Sequence, residues 1–118
     1  MATALVVDDA LFMRTTIGNM LKEWGFEIVG EATNGKEAVK MYRELQPDLV
    51  TMDLTMPVMS GLDAVKQIIP DFPDAKIIMI TAMGQQRIIV EAIESGAKDF
   101  ITKPFTSDKL KAVVDNIF

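Results

Sequence analysis

Short continuous apolar runs alternate along this chain with longer stretches in which apolar residues recur every three or four positions. The first run, Ala4 to Val7, ends at Asp8 and Asp9. Met13, Ile17, Met20, Leu21 and Trp24 then follow helical spacing, and Gly25 stops it. Phe26 to Gly30 reads as a second strand. Asn34-Gly35 reads as a turn, and Ala38, Val39, Tyr42 and Leu45 mark a second helix that Pro47 breaks. Leu49 to Met52 is a third run, ending at Asp53. Pro57 and Gly61 punctuate a loop, and Val65, Ile68 and Ile69 mark a short helix closed by Pro70 and Pro73. Ile77 to Ile80 is a fourth run, ending at Thr81. A helix from near Gln86 to Ser95 ends at Gly96. Phe100 to Thr102 is a short fifth strand before Lys103-Pro104, and a last helix starts near Ser107 as N-cap and runs to Phe118.

Strands alternating with helices predict a parallel sheet covered on both faces, and the continuously apolar runs suit its central strands. Ligands of such sheets bind beyond the carboxyl ends of the strands, where strand order reverses. The residues expected there are Asp8, Asp9, Asp53, Thr81 and Lys103.

Composition narrows the chemistry. A chain of 118 residues with 49% hydrophobic and 25% charged residues fits one globular domain. No apolar stretch reaches the ~20 residues of a membrane span, and the apolar start is too short for a signal peptide. The default location is therefore the cytoplasm. A net charge of −5 argues against nucleic acid as a partner. With neither cysteine nor histidine, thiolate and imidazole sites are excluded, so any metal must sit on oxygen. Three carboxylates converging on one crevice repel one another, and a divalent cation relieves this. Oxygen ligands without a dedicated cage point to Mg²⁺, which leaves room for a phosphoryl oxygen. Lys103 adds a mobile positive charge and Thr81 a hydroxyl, so a phosphoryl group could be oriented onto a carboxylate nucleophile. Each residue alone also has a plainer reading. Asp8 and Asp9 equally suit the cap and first turn of a helix, Asp53 a loop acid, Lys103 a turn lysine and Thr81 a strand-end threonine. Their occurrence together at the strand ends of one fold favours the site.

From VVDD through TMDLTMP and ITAM to ITKPF, the sequence resembles the receiver domains of two-component response regulators over essentially its whole length. It is especially similar to single-domain chemotaxis regulators of the CheY type. The resemblance implies one receiver domain over residues 1–118, with a doubly wound (βα)5 flavodoxin-like fold and a five-stranded parallel sheet. It also implies the strand order 2-1-3-4-5, established for this family. Asp53 is then the phosphoacceptor, charged from a phosphohistidine on a sensor histidine kinase. Asp9 binds Mg²⁺ directly, Asp8 acts mainly through a bound water, and the backbone carbonyl of Thr55 is a further ligand. Lys103, followed by a cis Pro104, contacts the phosphoryl group, and Thr81 donates its hydroxyl to it. Phe100 takes the place of the aromatic switch residue, often Tyr in the family, and lacks the hydroxyl. The output surface is expected on the fourth helix, fifth strand and fifth helix. Three consecutive apolar residues, Ile88, Ile89 and Val90, cannot all face a core, and the resemblance points to Ile89 as the exposed one.

The implied function is a phosphorylation-activated signalling switch, not an enzyme beyond its own phosphorylation and dephosphorylation. It acts as a monomer on a flagellar motor switch protein, with a phosphatase as a possible further partner. The alternatives are a phosphorelay shuttle to a histidine phosphotransfer protein and, in a different class, an aspartyl-nucleophile phosphatase. In such phosphatases the nucleophile follows the first strand, whereas Asp53 follows the third. A flavodoxin-type electron carrier needs an anion-accepting loop after the first strand, where Asp8 and Asp9 would repel a phosphate. Met1 and a final helix of ordinary length favour a complete protein over a piece of a larger regulator.

Overall fold

The computed structural model describes residues 1–118. Its strands are β1 (Thr3–Val7), β2 (Glu27–Ala32), β3 (Leu49–Asp53), β4 (Ile77–Thr81) and β5 (Asp99–Thr102), all parallel in the order β2-β1-β3-β4-β5. The helices are α1 (Leu11–Glu23), α2 (Gly35–Leu45), α3 (Gly61–Ile68), α4 (Gln86–Glu94) and α5 (Ser107–Ile117). No helix is long and apolar enough to cross a membrane.

Side chains alternate across a strand, so the sheet separates two cores. Ala4 and Val6 of β1 join Ile78 and Ile80 of β4 and Ile101 of β5 beneath α1 and α5, where Ile17, Leu21, Leu110 and Val114 meet them. Leu5, Val7, Val50, Met52, Ile77 and Met79 form the other core with Ala38, Val65, Ile68, Ile89 and Ala92 of α2, α3 and α4. The same alternation sends Thr81, Phe100 and Thr102 to the α4 face, and Thr81 stands opposite Thr102 in the sheet. Every loop that leaves a strand lies on one edge of the sheet, and every loop that enters one lies on the other.

Besides shifts of one residue at several element ends, local details depart from the sequence reading at Gly30, Asn34, Gly61 and Thr106. Strand β2 runs on to Ala32, past Gly30. A Cβ at Gly30 would lie 2.5 Å from the Met41 side chain, so the glycine lets α2 pack closely rather than ending the strand. Asn34 is the N-cap of α2 and not merely a turn residue. Its side chain accepts from Glu37 N at 2.9 Å, while Glu37 Oε1 accepts from Thr33 N at 2.7 Å. Gly61 is the first residue of α3, not loop punctuation. The cap of α5 is Thr106, whose hydroxyl accepts from Lys109 N at 3.3 Å, so Ser107 is the first helical residue.

Candidate functional site

The strand ends bring the three expected acids together. Asp8, Asp9 and Asp53 each offer a carboxylate oxygen, and these oxygens lie within 4.8 Å of one another. Asp8 and Asp53 are buried and Asp9 is exposed. Lys103 bridges the buried pair, with Nζ 3.2 Å from Asp8 Oδ2 and 3.5 Å from Asp53 Oδ1. It follows β5 directly and precedes Pro104 across a cis peptide bond. One ammonium among three carboxylates leaves negative charge in excess. Burial pushes the Asp53 carboxyl above its ordinary pKa, Asp8 pushes it further, and Lys103 pulls it back in part. A cation bound to oxygen would remove that repulsion, so this cluster is able to hold a hard metal ion.

The two aspartates after β1 are not helix caps. Ala10 occupies the cap position of α1 without a side-chain bond, and the first turn of α1 contains no acid. Instead Asp8 Oδ1 accepts from Ala10 N at 2.9 Å and shapes the turn out of the strand. Arg14 of α1 donates to the Asp8 carbonyl at 2.8 Å and pairs with Glu31 of β2 at 3.1 Å, fixing that turn from outside. Behind Asp53 the chain is equally constrained. Leu54 N donates to Ile80 O and Gly61 N to Leu54 O, both at 2.9 Å. A Cβ at Gly61 would lie 2.1 Å from the Asp53 carbonyl oxygen, so only glycine lets α3 start this close to the acid. Between them Val58 is exposed at φ 68°, a conformation that strains a β-branched residue.

Thr81 is buried beside this cluster, but its hydroxyl is engaged away from the acids. It faces Gln85 Oε1 at 2.7 Å and, less closely, the Ala82 carbonyl at 3.1 Å. Gln85 Nε2 in turn donates to the hydroxyl of Thr55 at 2.7 Å. Phe100 of β5 is half exposed, and it borders a cavity of about 410 Å³ lined also by Thr81, Ala82, Ile89, Val90 and Thr102.

The exposure expected of Ile89 is not found. Ile89 is 7% exposed, whereas Ile88 and Val90 are 39% and 53% exposed. Helix α4 buries Ile89 and, one turn on, Ala92, and this pair sets its phase against the sheet. The neighbours on either side, about 100° away, are the ones left facing outward. Two residues of the site were missed in the sequence, Arg14 and Gln85. Arg14 lies between the apolar run Leu11-Phe12-Met13 and two threonines of α1, and Gln85 beside another glutamine, so neither stands out by pattern.

Comparison with known proteins places this geometry. The response regulator receiver domain family matches residues 4–115. The chain is 57% identical to the chemotaxis protein CheY of Listeria monocytogenes over 110 residues, 93% of this chain and 92% of that one. It is 52% identical to the CheY of Thermotoga maritima over 113 residues, 96% of this chain and 94% of that one. A crystal structure of the CheX–CheY–BeF3–Mg²⁺ complex from Borrelia burgdorferi contains a chain superposing with a TM-score of 0.94 at 34% identity, covering 99% of this chain and 89% of that one. With its strand order, its acidic cluster at the carboxyl edge and a family match over nearly its whole length, the chain belongs to the response regulator receiver domains.

Proposed function

We propose that this receiver domain is a chemotaxis response regulator of the cytoplasm that accepts a phosphoryl group on Asp53 from the phosphohistidine of a sensor kinase. As a monomer it then engages a flagellar motor switch protein. The observation that carries this reading is the buried Asp53 carboxylate with Asp8, Asp9 and the Lys103 ammonium around it. The names of the CheY relatives support the chemotaxis assignment.

In this reading Asp9, Asp53 and the backbone carbonyl of Thr55 would hold Mg²⁺, and Asp8 would act through a water. The ion would neutralise the crowded carboxylates and the incoming phosphoryl oxygens. Asp53 supplies the attacking oxygen. The bond from phosphorus to the donor imidazole breaks with its electron pair on nitrogen, and a phosphorus–oxygen bond to Asp53 forms. Lys103, already within reach of Asp53, pairs with the added charge. Thr81 turns its hydroxyl to a phosphoryl oxygen, and Phe100 moves into the cavity beside it, changing the surface of α4, β5 and α5. Incubation with acetyl phosphate and Mg²⁺, read by intact mass, tests the site. The wild type should gain one phosphoryl group and Asp53→Asn none; a mass gain in the variant would reject Asp53 as acceptor.

A further inference from the structure

Gln85 lies at the start of α4, and its carboxamide makes contact with both loops flanking the acidic cluster. Three hydrogen bonds define its position. Ala82 N donates to Gln85 Oε1 at 3.0 Å, Thr81 Oγ1 donates to the same oxygen at 2.7 Å, and Gln85 Nε2 donates to Thr55 Oγ1 at 2.7 Å. The amide orientation follows from chemistry. A backbone N–H can only donate, so the atom facing Ala82 is the oxygen, and the nitrogen is left for Thr55. A threonine hydroxyl has one proton, and of its two acceptor contacts here Gln85 Oε1 at 2.7 Å is the shorter, the Ala82 carbonyl lying at 3.1 Å. The carboxamide thus ties the loop after β4 to the loop after β3, and it occupies the donor that a phosphoryl group on Asp53 would need.

We propose that Gln85 is a positioning residue of the resting state, a latch that holds the Thr81 hydroxyl away from the phosphoryl position and must open when the domain is activated. This rests on the reading of Asp53 and Thr81 given above. Opening the latch exchanges the Thr81–Gln85 bond for a Thr81–phosphoryl bond and frees Thr55. The latch therefore opposes activation by the net worth of the bonds it loses. Removing it should favour the activated arrangement by about two- to tenfold per bond. A residue that merely supported the loop would do the reverse, because its loss would disorder Thr81 and weaken binding of the phosphoryl mimic.

The test measures beryllium fluoride affinity in saturating Mg²⁺ by fluorine NMR, for wild type, Gln85→Ala, Thr55→Ala and the double variant. Gln85→Ala should bind more tightly by at least about twofold, and Thr55→Ala should add nothing once Gln85 is gone. In metal-free protein, Gln85→Ala should also speed hydrogen exchange at the Ala82 amide, which then lacks its acceptor. Gln85→Asn, one methylene too short to reach both loops, should match the alanine variant. Equal or weaker affinity in both Gln85 variants overturns the latch. Additive effects of the two alanines overturn the tether through Thr55. A wild type that binds no beryllium fluoride while remaining folded removes the reading of the site itself, and is distinguished from failure of the latch by that outcome alone.

Discussion

Asp53 is buried at the end of the central strand with two other acids near it, and its position is costly while those charges are not neutralised. Its pKa in the folded chain is raised above the ordinary 3.8, first by burial and then by Asp8. The native state therefore holds the proton more tightly than the unfolded chain. The unfavourable contribution of this group is full above the raised value, and it fades as pH falls towards 3.8. Asp53→Asn should accordingly melt higher than wild type in EDTA at pH 7, by a few degrees or on the order of 1 kcal/mol. The gap should narrow as the pH is lowered towards 4. Added Mg²⁺ should raise the wild-type melting temperature more than that of the variant, because it binds only the folded cluster. An asparagine variant that melts lower in EDTA at every pH would mean that Asp53 is stabilising as a carboxylate.

Helix α4 shows what periodicity settles and what it leaves open. The run Ile88-Ile89-Val90 requires outward-facing apolar residues, and there are two. Which of the three turns inward depends on how the helix leaves the preceding loop. That loop is set by Gln85, whose hydrogen-bond partner Thr55 lies 30 positions earlier in the chain. No local pattern contains that contact. The same holds for Arg14, which is read as a surface residue until β2 brings Glu31 beside it. By contrast β1, β3 and β4 were legible because continuous apolar runs ending in a polar residue have few other uses, and their ends carry the acids and the threonine. Gly30 misled because a glycine between strand residues reads as an ending, while here it admits Met41. Burial in α4 separates two variants. Ile89→Asp puts a charge into the core and should destabilise by about 3 kcal/mol or more in a denaturant melt. Val90→Asp should leave the melting temperature within a few degrees and weaken binding of the phosphorylated protein to the motor switch protein proposed above about tenfold or more. Equal affinity of Val90→Asp and wild type would move the output contact elsewhere.

At the scale of the whole molecule, the two cores are joined only through the sheet, and the acidic cluster sits where both meet at its carboxyl edge. Lys103 lines a cavity with Phe12, Met13 and Met20 of α1, on the α1 and α5 side of the sheet. Thr81 and Phe100 lie on the α4 face. If Asp53 is phosphorylated as proposed, the added charge arrives at the edge shared by both faces of the sheet, and the ~410 Å³ cavity beside Phe100 gives the α4 side room to respond.

The division between loops that leave strands and loops that enter them has a practical consequence for building with this protein. The acidic cluster and Lys103 lie on one edge, which makes the opposite edge the place to graft. The turn between α3 and β4 presents exposed Pro73 and Asp74 at that edge, next to Phe72, which is anchored on Tyr42 with ring centroids 5.1 Å apart. A small, independently folding reporter spliced between Pro73 and Asp74 through flexible linkers should leave phosphorylation by acetyl phosphate within about threefold of the parent. The same insert placed between Met83 and Gly84 should abolish the response to phosphorylation. Equal tolerance at the two sites would mean that the carboxyl edge is not the working end of the molecule. With the expected outcome, the domain becomes a scaffold whose input can be read optically from the edge opposite the acidic cluster.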